Sequence, residues 1–169
     1  MHRIRFCLFL GALLFAGITL APALHAAIKG TGLPLPRFVS LRAGEVNLRT
    51  GPGVQYPVDW VYLRQNLPME VIAEYGTWRK VRDWQGTQGW VHQSMVSGLR
   101  AIIVTGSSRT IRRKPDAKSN PVAILEAGVI GKLLSCPDLN GWCQVEADGK
   151  KGWLRRVDFW GVLKNEVME

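Results

Sequence analysis

The chain has 169 residues, 47% of them hydrophobic, and sets 22 lysines and arginines against 13 acids for a formal net charge of +9. Behind an N-terminal leader that leaves about 140 residues, room for one ordinary domain or two small ones. The basic excess is moderate and scattered, densest at Arg112, Arg113 and Lys114 and at Lys150 and Lys151, which excludes a long disordered basic tail and favours acidic partners without identifying one.

Arg3 and Arg5 precede an apolar run from Phe6 to Leu20, followed by Pro22 and small residues. This is the pattern of an export signal, and the run is shorter than the ~20 residues of a membrane-spanning helix. Cleavage after Ala26 is preferred, with Ala23 the alternative. The expectation is a signal peptide over 1–26, a linker over 27–38 and an exported protein with no transmembrane segment after cleavage. Cys7 lies too early, and without small neighbours, to serve as a lipid-attachment site. Two of the 22 basic residues lie inside the signal and all 13 acids after it, so the mature charge is 20 − 13 = +7. Export makes nucleic acid the least fitting acidic partner, and none is expected.

From Val46 the chain repeats itself. Against the stretch from Arg109, Leu48-Arg49 meets Ile111-Arg112, Pro52 meets Pro115, Gly89-Trp90 meets Gly152-Trp153 and Gly98 meets Gly161, each at 115 − 52 = 63 residues. Trp78 and Val81 meet Trp142 and Val145 at 64, as one residue inserted in a turn produces. Each copy is therefore about sixty residues, a small unit repeated rather than one larger domain. Within a copy, Glu70 to Glu74, Trp78 to Arg82 and Gly89 to His92 read as short strands between the turn-formers Tyr75-Gly76-Thr77 and Gln85-Gly86-Thr87. Thr50-Gly51-Pro52-Gly53 and Gln55-Tyr56-Pro57 form a loop, because these glycines and prolines do not fit a central strand. The fold expected is all-β, two tandem small five-stranded barrels over 39–98 and 99–163, then a C-terminal tail over 164–169. A unit of that size buries a marginal core, so two copies packed together are steadier than either alone.

In the second copy Cys136 and Cys143 flank the turn sequence Pro137-Asp138-Leu139-Asn140-Gly141. An even pair across a hairpin, in an oxidising compartment, predicts a disulfide that pins this loop. Two thiols without a nearby histidine or further cysteine do not supply the usual four ligands, so neither a metal nor another cofactor is expected.

Val46-Asn47-Leu48-Arg49-Thr50-Gly51-Pro52-Gly53, then Trp78 with Val81, then Gly86-Thr87-Gln88-Gly89-Trp90-Val91 resemble the signature of bacterial SH3-type (SH3b) domains. The second copy carries Thr110 to Asp116, Gly141 to Val145 and Gly149 to Leu154 in the same order, without the Asn and the Gly-Pro-Gly of the first. The resemblance covers about residues 39 to 163. It implies a five-stranded barrel, export with the periplasm preferred over secretion, and recognition of cell-wall or peptide ligands, often beside a catalytic domain. No catalytic domain is expected in this chain.

After cleavage His92 is the only certain histidine, and one histidine with two bonded cysteines does not assemble a Cys-His nucleophile. His-Glu-x-x-His, Gly-x-Ser-x-Gly and Gly-x-x-x-x-Gly-Lys patterns are absent from the sequence. Carboxylates such as Glu70 with Glu74, or Asp83 with Asp59, read as surface charges. The expectation is a protein that is not an enzyme. Its recognition features are aromatic. Strand alternation sets Trp78 and Val81 on opposite faces, and likewise Trp142 and Val145, with valine inward and tryptophan outward; the same logic separates Trp90 from Val91.

Tyr56, Trp60 and Trp84 lie in or beside the loops of the first copy. With Arg49 and Trp90 they are the candidate ligand-binding residues, the rings supplying contact area and the guanidinium meeting a carboxylate. The ligand expected is cell-wall peptide, peptidoglycan, or a proline-rich or acidic peptide. The alternative is a purely structural scaffold of the envelope that interacts with another protein and whose rings form the interface between the barrels. The second copy replaces Gly51-Pro52-Gly53 with Lys114-Pro115-Asp116 and lacks counterparts of Tyr56 and Trp60, and so reads as a buttress. There, Trp153 with Arg155 and Arg156 is either a basic aromatic patch or a solvated strand end.

Overall fold

The computed structural model describes residues 30–137 and 141–169, so the expected signal peptide lies outside the described residues. The first domain contains β1 (Arg37–Leu41), β2 (Val46–Arg49), β3 (Val58–Tyr62), β4 (Pro68–Tyr75), β5 (Trp78–Arg82), β6 (Gln88–His92) and, after a 3-10 turn at Gln93–Met95, β7 (Val96–Ser97). The second repeats the plan with β8 (Ala101–Val104), β9 (Arg109–Arg112), β10 (Pro121–Leu125), β11 (Ile130–Ser135), β12 (Trp142–Ala147), β13 (Lys150–Arg155), a 3-10 turn at Arg156–Asp158 and β14 (Phe159–Trp160). The strand orders are β3-β2-β6-β5-β4-β1-β7 and β10-β9-β13-β12-β11-β8-β14, one topology used twice.

The expected five-stranded barrels require correction. Each sheet has seven strands, and its end strands, β3 and β7 or β10 and β14, do not pair with each other. The additional strands come from segments with little periodic signal. Phe38 to Leu41 is a continuous buried run without alternation, and β7 and β14 are two residues each. β1 binds β4 on one side and β7 on the other, joining the beginning and the end of the domain.

Burial follows the alternation of the strands. Val81, Val91 and Val145 are fully buried and Leu154 nearly so, while Trp78, Trp90, Trp142 and Trp153 are half-buried on the other face. The glycines before Trp90 and Trp153 are required by close approach. A Cβ on Gly89 would lie 2.5 Å from Leu48 Cγ and 2.9 Å from the Arg49 carbonyl oxygen, and one on Gly152 would lie 2.8 Å from the Arg112 carbonyl oxygen.

The two domains share apolar contacts. Ile103 joins the first core, and Ile130 and Trp160 pack against it. The Phe38 ring meets Trp160 edge-on, with centroids 4.7 Å apart, and Arg100 lies 5.9 Å from the Phe38 centroid. Arg64 Nη2 donates to the Gly128 carbonyl at 2.8 Å. Cys136 and Cys143 form the expected disulfide, their Cα atoms 4.3 Å apart. The C-terminal segment is held there as well, since Met168 and Cys136 exchange backbone hydrogen bonds.

Candidate functional site

The candidate residues of the first domain lie on β2, β3, β6 and the two loops beside them. The loop of residues 50–57 is built inward from its own backbone: Thr50 N–H donates to the Pro57 carbonyl at 3.1 Å, and Tyr56 N–H to the Gly53 carbonyl at 3.3 Å. Arg49, at the end of β2, clamps it by donating from Nη1 to the carbonyls of Val54 at 3.2 Å and Tyr56 at 2.8 Å. The Tyr56 ring lies over Gly51, where an added Cβ would come within 2.4 Å of Cδ1. Arg49 thus holds the loop, and its backbone stands in register with Trp90 on β6.

Trp60 sits on β3 in register with Leu48, yet Leu48 is fully buried and Trp60 is 56% exposed. The difference arises because β3 ends the sheet, and no strand lies along its outer edge among the described residues. Val54, Val58 and Leu63 are exposed along the same loop and strand, as is Tyr56. The result is a strip of exposed apolar side chains along a free backbone edge, with Trp60 on the face of Leu48 and Val58 on that of Arg49.

Trp84 has a different environment. It is half-buried and packs against the first core. Its neighbour Asp83 is buried, accepting from Tyr62 Oη at 2.9 Å and from the backbone N–H groups of Gln85 and Thr87 at 2.9 Å each. Burial, reinforced by the bond to Asp83, pushes the Tyr62 phenol well above its ordinary range. The structure therefore brings Arg49, Tyr56 and Trp90 to one neighbourhood, lays Trp60 on the adjoining edge strand, and fixes Trp84 on the hairpin that Tyr62 ties to the end of β3.

The reading of the carboxylates as surface charges holds for the exposed Asp59 and is corrected for the other three. Glu70 and Asp83 are buried, and the Glu74 side chain is 6% exposed. They answer to local partners: Arg82 donates to Glu70 at 2.8 Å from Nε, and Glu74 takes Arg37 at 2.6 Å and Arg79 at 3.2 Å. His92 Nδ1 lies 2.8 Å from Ser94 Oγ and its ring stands edge-on to Trp78. Among the described residues no group of three or more His, Cys, Asp or Glu is placed to hold a metal, and no helix is long and apolar enough to cross a membrane.

Sequence reasoning missed the ring contact between the domains. Trp160 stands at the repeat position of Ser97, so self-similarity gave it no mark. It also missed Val58 and Leu63, although a β-branched and aromatic stretch next to a loop is the signal of an edge strand.

Comparison with known proteins agrees with the repeat. The bacterial SH3 domain family matches residues 42–98 and 107–161, together more than half of the chain. Among curated proteins none matches. Two solved structures, of NlpC1 and NlpC2 from Trichomonas vaginalis, are similar at 12% and 11% identity with TM-scores of 0.34 each. The matches cover 77% and 74% of this chain but 47% and 48% of theirs, so the chain spans about half the length of either, and at these values they add nothing to the assignment. With one strand order used twice and the family matched over both copies, the chain belongs to the bacterial SH3 domain family and carries two such domains in tandem.

Proposed function

We propose that the chain is a non-catalytic, exported binding protein of the cell envelope whose first domain takes an extended peptide, from peptidoglycan or a partner protein, along β3 and the loop of residues 50–57. The observation that carries this is the 56% exposure of Trp60 on a strand that ends its sheet. An exposed aromatic beside an unpaired strand edge is a liability unless something covers it. An extended peptide does so by adding a strand, its backbone taking the free edge and its side chains the rings. The clamp from Arg49 and the fit of Tyr56 on Gly51 order the loop beforehand, which lowers the entropy lost on binding. The second domain has Ser119 and Ala123 where the first has Tyr56 and Trp60, so its edge strand, which exposes Val122 and Ile124, lacks the rings of the strip. Family membership supports association with the cell wall. The scaffold reading, in which the candidate rings join the domains, finds less support because the ring pair at that junction is Phe38 and Trp160.

Co-sedimentation of the mature chain with purified peptidoglycan, at low and high salt, tests the proposal. Trp60→Ala is expected to lower retention about tenfold with thermal unfolding unchanged. Trp84→Ala is expected to unfold earlier while the folded fraction is retained. Absence of retention at any salt removes the cell wall as ligand, and retention unaffected by Trp60→Ala removes the strip.

A further inference from the structure

A cavity of about 290 Å³ opens on the second domain, walled by Arg109, Arg112, Arg155, Trp142 and Asp158. Asp158 is 5% exposed and receives both a 2.8 Å bond from Arg155 Nε and a 3.0 Å bond from Arg155 Nη2. Arg109 Nη1 stands 3.3 Å from the same carboxylate, while Arg112 Nη1 donates to the Ser119 carbonyl at 2.7 Å. Three guanidinium groups against one carboxylate leave the walls at 3 − 1 = +2. Arg109 Nε is buried and has no hydrogen-bond partner among the described residues.

The first domain serves as an internal control for this arrangement. Arg109 faces Leu125 as Val46 faces Tyr62, and Trp142 faces Arg155 as Trp78 faces His92. Arg109, Arg155 and Asp158 thus occupy the places of Val46, His92 and Met95, and Ser108 that of Glu45. In the first domain Val46 is fully buried and Met95 packs on the core. One backbone plan accepts an apolar contact at this place, so folding does not require an ion pair there. Desolvating such a pair generally offsets its attraction, and a buried donor left unpaired adds to the cost. An anionic ligand that answers the excess positive charge of the walls accounts for the arrangement.

We propose that this cavity is a second binding site, which takes a carboxylate of an acidic peptide between the Arg109 and Arg155 guanidinium groups with the Trp142 ring against the carbon chain behind it. Guanidinium forks match a carboxylate in two parallel bonds. Asp158 holds two of the forks in place before the ligand arrives, and the net charge draws the anion in. The aromatic wall selects a carboxylate borne on a carbon chain over a bare inorganic anion. This site is independent of Trp60 and the strip on the first domain.

Calorimetric titration of the full mature chain at physiological ionic strength tests the proposal, with N-acetyl hexaglutamate amide as probe and hexaglutamine and inorganic polyphosphate for comparison. Hexaglutamate is expected to bind, polyphosphate more weakly and hexaglutamine not at all. The triple variant R109V/R155H/D158M installs the residues of the first domain; its thermal unfolding is expected to stay or rise while hexaglutamate affinity falls about tenfold. Arg155→Lys, at a side chain 52% exposed, keeps a cation beside Asp158 while removing the fork, and is expected to weaken binding severalfold, which keeps the test decisive if the triple variant misfolds. Trp60→Ala is expected to leave hexaglutamate binding unchanged, separating this site from the first-domain reading. The proposal is overturned by absence of hexaglutamate binding, by equal binding of hexaglutamine, by tighter binding of polyphosphate, or by a folded triple variant that binds as the parent does.

Discussion

In the first domain Glu74 faces Arg79 one step past a bulge between β4 and β5, and the two side chains meet at 3.2 Å. One step past the matching bulge between β11 and β12, Cys136 faces Cys143, and the two are covalently joined. The same ladder position is closed by an ion pair in one copy and a disulfide in the other. Each is also met by a segment from outside the two paired strands. Thr31 Oγ1 donates to Glu74 at 2.8 Å, and Met168 bridges Cys136, while Arg100 on the second domain pairs with Glu166.

A second exchange runs through the interiors. Tyr62 and Asp83 form a buried hydrogen-bonded pair in the first domain, where the second has Leu125 and Ala147. Conversely, Val46 and Met95 give way to Arg109 and Asp158. The apolar landmarks and the close-approach glycines stay fixed while the polar pairs relocate. The former carry the fold, and the latter are free to pin a terminus or meet a ligand.

The largest expected effect breaks the first of these pairs. Replacing Cys136 and Cys143 by alanine removes about 2–5 kcal/mol from the second domain and loosens the segment around Met168, with amide exchange in the first domain changed less. Next, Asp83→Ala strips the acceptor from the Tyr62 hydroxyl and two backbone N–H groups, at a cost of about 2–3 kcal/mol. Adding Tyr62→Leu, which copies Leu125 and Ala147, recovers part of that loss because the orphaned hydroxyl is gone; chemical denaturation of the single and double variants measures the recovery.

A smaller effect is set by acid. Burial alone would raise the Glu74 carboxyl, but the bonds from Arg37 and Thr31 outweigh it and lower it from 4.5 to about 2. Its folded value is depressed, so its contribution is full above the ordinary carboxylate range and is lost as pH falls from about 4.5 toward 2. Glu166 is lowered in the same sense, its burial outweighed by Arg100 and the Leu163 N–H. The protection of the amides at residues 31–33, taken relative to their intrinsic exchange rates at each pH, is expected to fall over that window, whereas the disulfide-closed ladder position of the second domain has no such carboxylate to lose. The smallest effect is Trp60→Ala, expected to change unfolding free energy by less than about 0.5 kcal/mol.

The parts of this architecture visible in the sequence were those stated twice. Gly89-Trp90 and Gly152-Trp153 mark the strand crossing, and Trp78 with Val81 gives the alternation because the same spacing returns at Trp142 and Val145. The disulfide was legible from the turn between its cysteines. Apart from that pair, what occurs once or differs between copies was hidden. Phe38 to Leu41 has no period, because a strand buried along most of its length shows none. Trp84 reads as a loop residue, since nothing local reveals that its hairpin folds back on the core through Asp83. Arg49 reads as a free cation, although its nearest acceptors are carbonyls of the loop that follows it. The cavity at Arg109 requires the two copies to be compared position by position in space, where a valine and an arginine are seen to occupy one site.

The central claim is that the first domain binds peptide along its edge strand. It is tested most directly by recording backbone amide NMR spectra of the mature chain while soluble peptidoglycan stem peptides are added. Shifts are expected to concentrate at residues 50–63 and at the indole of Trp60, with the core amides of β4 and β5 still. Shifts confined to the second domain, or none at millimolar peptide, would contradict it.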